Sequence, residues 1–303
     1  MISGRRNFLK SGTLAVSGTL LFSNDIFAAK KRNHLLGIQL YTVRDDMKKD
    51  PMGTLQQIAK MGYKNVEHAN YADRKFYGNT AKEFKKILSD LGMKMPSGHT
   101  VLKEEHWDSA KNDFTDAWKY TVEDAATAGQ QYVISPSMDE SLRNNVDHFL
   151  AFMDLFNKCG ELCKKSGMKF GYHNHEFEFK YSINNEKIHD IILKHTDPAL
   201  VTQQLDTGNM YAIGGRAIDV IKKYPGRFEL MHVKDEIKVP GEKDEKYEST
   251  ILGKGVLHIK NIVDYALKYG GTTHLIIEQE AYQGKTPIES SMEDLHIMKK
   301  WGY

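Results

Sequence analysis

Cysteine is scarce. Cys159 and Cys163 are the two in 303 residues, too few for a disulfide framework. They stand four apart in Phe156-Asn157-Lys158-Cys159-Gly160-Glu161-Leu162-Cys163, which reads as helix. They therefore share one face, where a bridge within a regular helix is geometrically poor, and no His pair nearby completes a zinc motif. Both are expected as packing residues. Excess charge is also lacking. Beyond residue 29 the acidic and basic residues balance to a net formal charge of zero, without the basic face that a nucleic-acid partner requires. No stretch approaches the ~18 consecutive apolar residues of a membrane span. No G-x-G-x-x-G follows the first β-rich run, which argues against a dinucleotide fold. No low-complexity linker marks an internal domain boundary.

The N-terminus has a different character. Gly4-Arg5-Arg6-Asn7-Phe8-Leu9-Lys10 precedes a short apolar stretch from Thr13 to Phe22 and then Phe27-Ala28-Ala29. A charged region, a short apolar region and small residues make an export signal. This one resembles a twin-arginine signal, with Gly4 in place of the usual Ser or Thr and Ile26 at a position usually held by Ala. The expectation is a leader over 1–29, cleavage near residues 28–29, and a periplasmic mature chain over 30–303. Folding before export, which the twin-arginine route allows, suits a chain with no evident disulfide.

The remainder repeats one pattern, an amphipathic helix closing near Gly or Pro followed by a short β-rich run. Leu55–Gly62 leads into Tyr63–Glu67, Phe84–Gly92 into Met93–His99, and Ala125–Gly129 into Gln131–Ser135. Leu162–Gly167 leads into Met168–His175, Ile191–His195 into Leu200–Asp206, Val220–Gly226 into Arg227–His232, and Tyr265–Gly271 into Thr273–Glu278. Leu36–Tyr41 opens the series. Eight alternating units over this length predict an α/β fold with a parallel sheet, a single-domain (β/α)8 TIM barrel. An open doubly wound sheet is the alternative.

Barrel enzymes build their sites at the C-terminal strand ends, and here those ends are polar: Gln39, Glu67-His68, His99, Ser135, His173 and His175, Asp206, His232, Glu278. Four His or carboxylate endings in strands five to eight predict one shared cation. A mixed nitrogen and oxygen donor set without thiolate suits Mn²⁺, Co²⁺ or Zn²⁺, with Mg²⁺ also admitted, and Lewis-acid work on a sugar or hydroxy-ketone oxygen.

These residues carry a resemblance. Gly37-Ile38-Gln39-Leu40-Tyr41-Thr42-Val43-Arg44, Tyr172-His173-Asn174-His175, Leu205-Asp206-Thr207-Gly208-Asn209, His232-Val233-Lys234-Asp235, Gly253-Lys254-Gly255 and Ile276-Ile277-Glu278 together resemble the xylose isomerase-like TIM barrel superfamily over about residues 35 to 300. The superfamily includes sugar epimerases and isomerases, inosose dehydratase and the apurinic endonuclease IV group. The resemblance implies a metal held by carboxylates of strands five, six and eight and a histidine of strand seven, which match Asp206, His232 and Glu278. Strand five departs, offering His173 as fourth ligand, with His175 and then Glu178 as alternatives. The implied activity is a metal-dependent isomerase or epimerase that takes a proton next to a carbonyl of a non-phosphorylated sugar.

Glu278, His175 and Glu178 are the candidate catalytic groups. A two-glutamate scheme is in doubt where histidine replaces the first base, so a lyase or hydratase acting on 3-keto-glycosides is the alternative, and a non-catalytic sugar-binding barrel is the second. His99, Glu67, Gln39 and Lys234 are the candidate substrate contacts. Asn209 stands where the endonuclease group carries a further metal-binding histidine, which argues against DNA repair. Trp107 and Trp118 read as core, and His106 and His258 as solvent-facing. The charged run Lys238–Ser249 reads as a solvated loop or a lid, and Gly253-Lys254-Gly255 as a loop rather than a phosphate cradle. A small-molecule sugar is the expected partner, without nucleic acid or membrane span, and a homo-oligomer is compatible with the sequence.

Overall fold

Residues 34–241 and 246–303 of the computed structural model are described. The expected leader and the tip of the charged run lie outside the described residues. Eight strands form a closed parallel barrel: β1 Leu35–Gln39, β2 Asn65–His68, β3 Lys94–His99, β4 Tyr132–Ser135, β5 Lys169–His173, β6 Val201–Asp206, β7 Leu230–Val233 and β8 His274–Ile277. β1 closes the ring by pairing with both β2 and β8. Strands buried on both faces need apolar residues outward and polar or small ones inward where a site is built. β6, Val201-Thr202-Gln203-Gln204-Leu205-Asp206, is buried along its whole length; Gln204 meets Glu67, His99 and His173 inside the barrel, whereas the Gln203 amide has no partner among the described residues.

The helices around the barrel have readable ends. Pro51–Met61 starts with Pro at N1 behind the Asp50 cap and stops at Gly62 in the left-handed region, φ 105°. Ala81–Asp90 and Pro287–Lys300 each open on a capping box, Thr80 with Glu83 and Thr286 with Glu289. In Val146–Lys165 the two cysteines are buried and free, as expected of packing residues, and the Trp118 indole donates to Cys159 Sγ at 3.2 Å. Gly160 lets this helix approach the start of β6, since a Cβ there would lie 2.7 Å from Leu200.

Four expectations change. Strand five stops at His173 rather than His175, because the Asn174 side chain replaces the ladder, accepting from Asp206 N at 2.9 Å and donating to Asp206 O at 3.2 Å. Strand one likewise ends at Gln39, whose side chain accepts from Tyr41 N and starts a 3₁₀ turn. The charged run after β7 is a hairpin, with Asp235–Lys238 antiparallel to Tyr247–Thr250. His258 is exposed, but His106 is half-buried and stacks on buried Trp118 at 4.7 Å.

Asp294, on the last helix, is buried and accepts from Leu252 N at 2.9 Å, and its other oxygen has no partner. Burial pushes its carboxyl up to about 7. The folded chain therefore keeps a proton that the unfolded chain loses near pH ~4. The corresponding stability is full below that point and declines as pH rises to about 7. Asp294→Asn should flatten this decline. Urea unfolding should show little difference between variant and wild type near pH ~4, and a gain of no more than about 4 kcal/mol in alkaline buffer.

Candidate active site

Register sets the site. Asp206 on β6 is the direct neighbour of His232 on β7, and Glu278 follows the last residue of β8. Their ligand atoms lie within 4.8 Å of one another, and all three side chains are buried. His232 Nδ1 is 3.0 Å from Glu278 Oε2 and 3.7 Å from Asp206 Oδ2. Its other nitrogen, Nε2, is held by Glu67 Oε1 at 2.6 Å. A histidine bonded on its far side to a carboxylate is oriented and made a better ligand at the near nitrogen.

Glu67 is the hub below this set. It accepts from Gln39 Nε2 at 2.7 Å, Gln204 Nε2 at 2.8 Å and His232 Nε2, with His99 Nε2 at 3.2 Å. Burial alone would lift its pKa, but the His99 and His232 imidazoles hold it well below the usual carboxylate range. Because the Gln204 amide nitrogen donates to Glu67, its oxygen is left to accept, from His99 Nε2 at 2.7 Å and His173 Nδ1 at 3.0 Å. These bonds fix tautomers. Burial, with the neighbouring imidazoles, keeps His173 well below the usual histidine range and so neutral. Neutral His173 carries its proton on Nδ1 and presents the Nε2 lone pair.

A second trio, His99, His173 and His232, also lies within 4.8 Å; His99 Nε2 and His173 Nδ1 are engaged with Gln204, and His173 keeps its Nε2 lone pair as the ligand atom expected of it. The Asp206–His232–Glu278 set does fit a divalent cation. Lys234 Nζ stands among the same carboxylates, 2.8 Å from Glu278 Oε2 and 3.2 Å from Asp206 Oδ2, and reaches Glu280 at 2.6 Å. Its approach to Asp206 Oδ2 is out of line for a hydrogen bond, so that fully buried oxygen has no aligned donor. The position already selects a positive group. Burial works against charging His232, yet Glu278 and Glu67 raise it well above the usual histidine range. A cation at Nδ1 would replace that proton.

The cleft above, about 560 Å³, is lined by Tyr41, Tyr71, His99, His173, His175 and Glu278 among others, with Asn209 and Glu280 at its edge. Of the predicted residues, Asp206, His232 and Glu278 come together as expected. His173 and His175 both line the cleft, their rings 4.9 Å apart. His99 also reaches it. Lys234 touches the carboxylates rather than open cleft, and Asn209 bonds Asp206 through its backbone N–H and Lys234 through its side chain.

Three of the predicted residues lie away from the open cleft. Glu67 and Gln39, expected as substrate contacts, are buried beneath the site and bonded to each other, and Glu67 holds His232 Nε2. Glu178 turns out of the barrel, accepting from Tyr172 OH at 2.6 Å and His175 N at 2.9 Å. The chain after Asn174 enters a single helical turn, Phe177–Lys180, and strand alternation no longer sets its direction.

The loop Gly253–Gly255 offers no phosphate cradle. Gly253 N, Gly255 N and Leu257 N all donate to the buried Asp235 carboxylate, at 2.9, 3.1 and 3.2 Å. His68, the outward neighbour of Glu67, packs over Gly98, where a Cβ would lie 1.8 Å from its ring.

Gln204, Glu280 and Glu236 were missed. Gln204 lies two before Asp206 on a buried strand, which places both on one face, and that was the available signal. Glu236 sits on the hairpin, pushed up to about 8 by burial in spite of Lys234. Glu67→Gln should weaken divalent-cation binding about 10- to 100-fold, read by chelator competition, in a variant that still unfolds cooperatively. An unchanged cation affinity with a raised KM would return Glu67 to a substrate role.

Among known proteins, an inosose dehydratase of Bacillus licheniformis is 25% identical over 173 residues, 52% of this chain and 57% of that protein. The chain thus spans a little over half the length of this curated relative. A sugar phosphate isomerase/epimerase from Parabacteroides distasonis superposes with TM-score 0.71 at 24% identity, covering 91% of this chain and 97% of that one. The IolI protein, solved with a zinc atom, superposes with TM-score 0.66 at 14% identity, covering 88% and 97%. Among the described residues no helix is long and apolar enough to cross a membrane. Residues 55–301 match the xylose isomerase-like TIM barrel family, and the chain belongs to it.

Proposed function

We propose that this protein is a divalent-cation-dependent lyase of keto-sugars or cyclic keto-polyols, which takes a proton next to a carbonyl and expels the β-oxygen substituent, as water from a cyclic keto-polyol or as the aglycone alcohol from a 3-keto-glycoside. The observation that carries the reading is the unlike equipment of the cleft floor. His173 presents an Nε2 lone pair. Burial keeps His175 below the usual histidine range, and its Nδ1 is buried without a partner. Orphaned buried N–H groups are rarer than under-satisfied acceptors, so the His175 proton belongs on Nε2. Glu278, which burial would lift but Lys234 and His232 hold well below its usual range, is a carboxylate. Elimination needs one acceptor for the carbon-bound proton and one donor for the leaving oxygen. His173 or Glu278 supplies the first and His175 the second.

Asp206, His232 and Glu278 would hold the cation, Zn²⁺, Mn²⁺ or Co²⁺ by their donor types, which when bound would polarise the carbonyl. The curated relative is named a dehydratase, and inososes are cyclic keto-polyols, which supports the class. Isomerisation or epimerisation shares the first step and is the second reading, favoured by the structural likeness to a sugar phosphate isomerase/epimerase. A non-phosphorylated substrate accords with the Gly253–Gly255 amides being taken by Asp235. Export to the periplasm, with cleavage near residues 28–29, is part of the same proposal and rests on the Arg5-Arg6 leader.

Incubation of metal-loaded protein with an inosose and with a 3-keto-glucoside in D₂O tests the reading. Deuterium at the carbon next to the carbonyl and an ultraviolet-absorbing enone are expected. His175→Gln should slow enone formation roughly 10²- to 10⁴-fold while exchange continues. Absence of both exchange and enone for every keto-substrate removes the proposal, and exchange with a rearranged sugar but no enone replaces lyase by isomerase.

A further inference from the structure

Beside the cleft a second groove of about 440 Å³ shares two of its walls, His175 and Asn209, and continues over Arg143, Phe177 and Tyr181. Arg143 is underused there. Its side chain is 17% exposed, and its Nη1 reaches only a 3.5 Å contact with Glu140, whose side chain is 85% exposed. Its Nε is buried with no acceptor. The central carbon of the guanidinium lies over the Phe177 ring, 3.7 Å from its centre, with the Tyr181 ring centre at 5.8 Å and Tyr181 46% exposed. Glu176, the carboxylate among the lining residues, is exposed. The nearby Glu178 is committed to Tyr172 and His175, and burial lifts it to about 7. A buried donor without an acceptor is unfavourable in a finished structure, and a planar guanidinium beside aromatic rings matches a carboxylate on a flat group.

We infer that this groove is a second substrate subsite, in which Arg143 receives a carboxylate carried on a planar or aromatic substituent of the sugar while Phe177 and Tyr181 pack against the plane. The inference rests on the reading that the neighbouring cleft takes a sugar, and it narrows the substrate to one bearing an acidic appendage. One planar guanidinium matches the two oxygens of a carboxylate, whereas a phosphate is usually met by several donors.

Calorimetric titration of methyl, phenyl and 4-carboxyphenyl β-glucosides into metal-loaded protein tests it. The carboxylated probe should bind at least about ten-fold tighter than the phenyl one, as a charge-assisted hydrogen bond allows. Arg143→Gln should abolish that gain, Arg143→Lys should retain part of it, and the methyl glucoside should bind all three proteins alike. Thermal melting of both variants guards against a folding defect. No gain from the carboxylate, a gain that survives Arg143→Gln, or no binding of the carboxylated probe overturns the inference. Failure of deuterium exchange with the gain intact removes the catalytic reading and leaves the subsite.

Discussion

Glu67 carries a full negative charge near the centre of a barrel whose outer walls are apolar, and an unpaired charge there would cost several kcal/mol. It is stable because Gln39, Gln204, His99 and His232 all point at its two oxygens. That convergence has a second effect. Each partner is left with one free end in a determined state: His232 turns Nδ1 toward Asp206 and Glu278, and Gln204 turns its oxygen toward His99 and His173. The chemistry of the cleft is therefore specified one layer below it, by Glu67, Gln39 and Gln204.

The fold was legible because helix ends and strand starts carry local signals. Gly62, Gly129 and the Thr-initiated capping boxes are conformational requirements written in single residues. The cation set was legible for the same reason that strand direction is: Asp206, His232 and Glu278 close parallel strands at the same end. Depth was not legible. Period two tells that Glu67 faces inward, but not that it lies under the floor rather than on it. The fate of Glu178 was hidden because Asn174 ends β5 by side-chain bonds to Asp206, and nothing local marks a partner 32 residues away.

Lys234 and Asp235, adjacent in sequence, show how one strand end serves two tasks. Lys234 joins the carboxylates of Asp206, Glu278 and Glu280. Asp235 gathers the N–H groups of the Gly253–Leu257 loop, and Ser249 on the following hairpin accepts from Glu280 N and Ala281 N. The hairpin thereby ties the segment after β7 to the segment after β8, and the two ends that supply His232 and Glu278 are braced against each other.

The His68 ring over Gly98 imposes an order on divergence. A side chain at position 98 would meet that ring at 1.8 Å, so gaining one there requires the residue at position 68 to move or become smaller. The reverse path is open, since a smaller residue at 68 leaves glycine at 98 unharmed. Divergence at this pairing is therefore easiest from position 68, next to the carboxylate that organises the site.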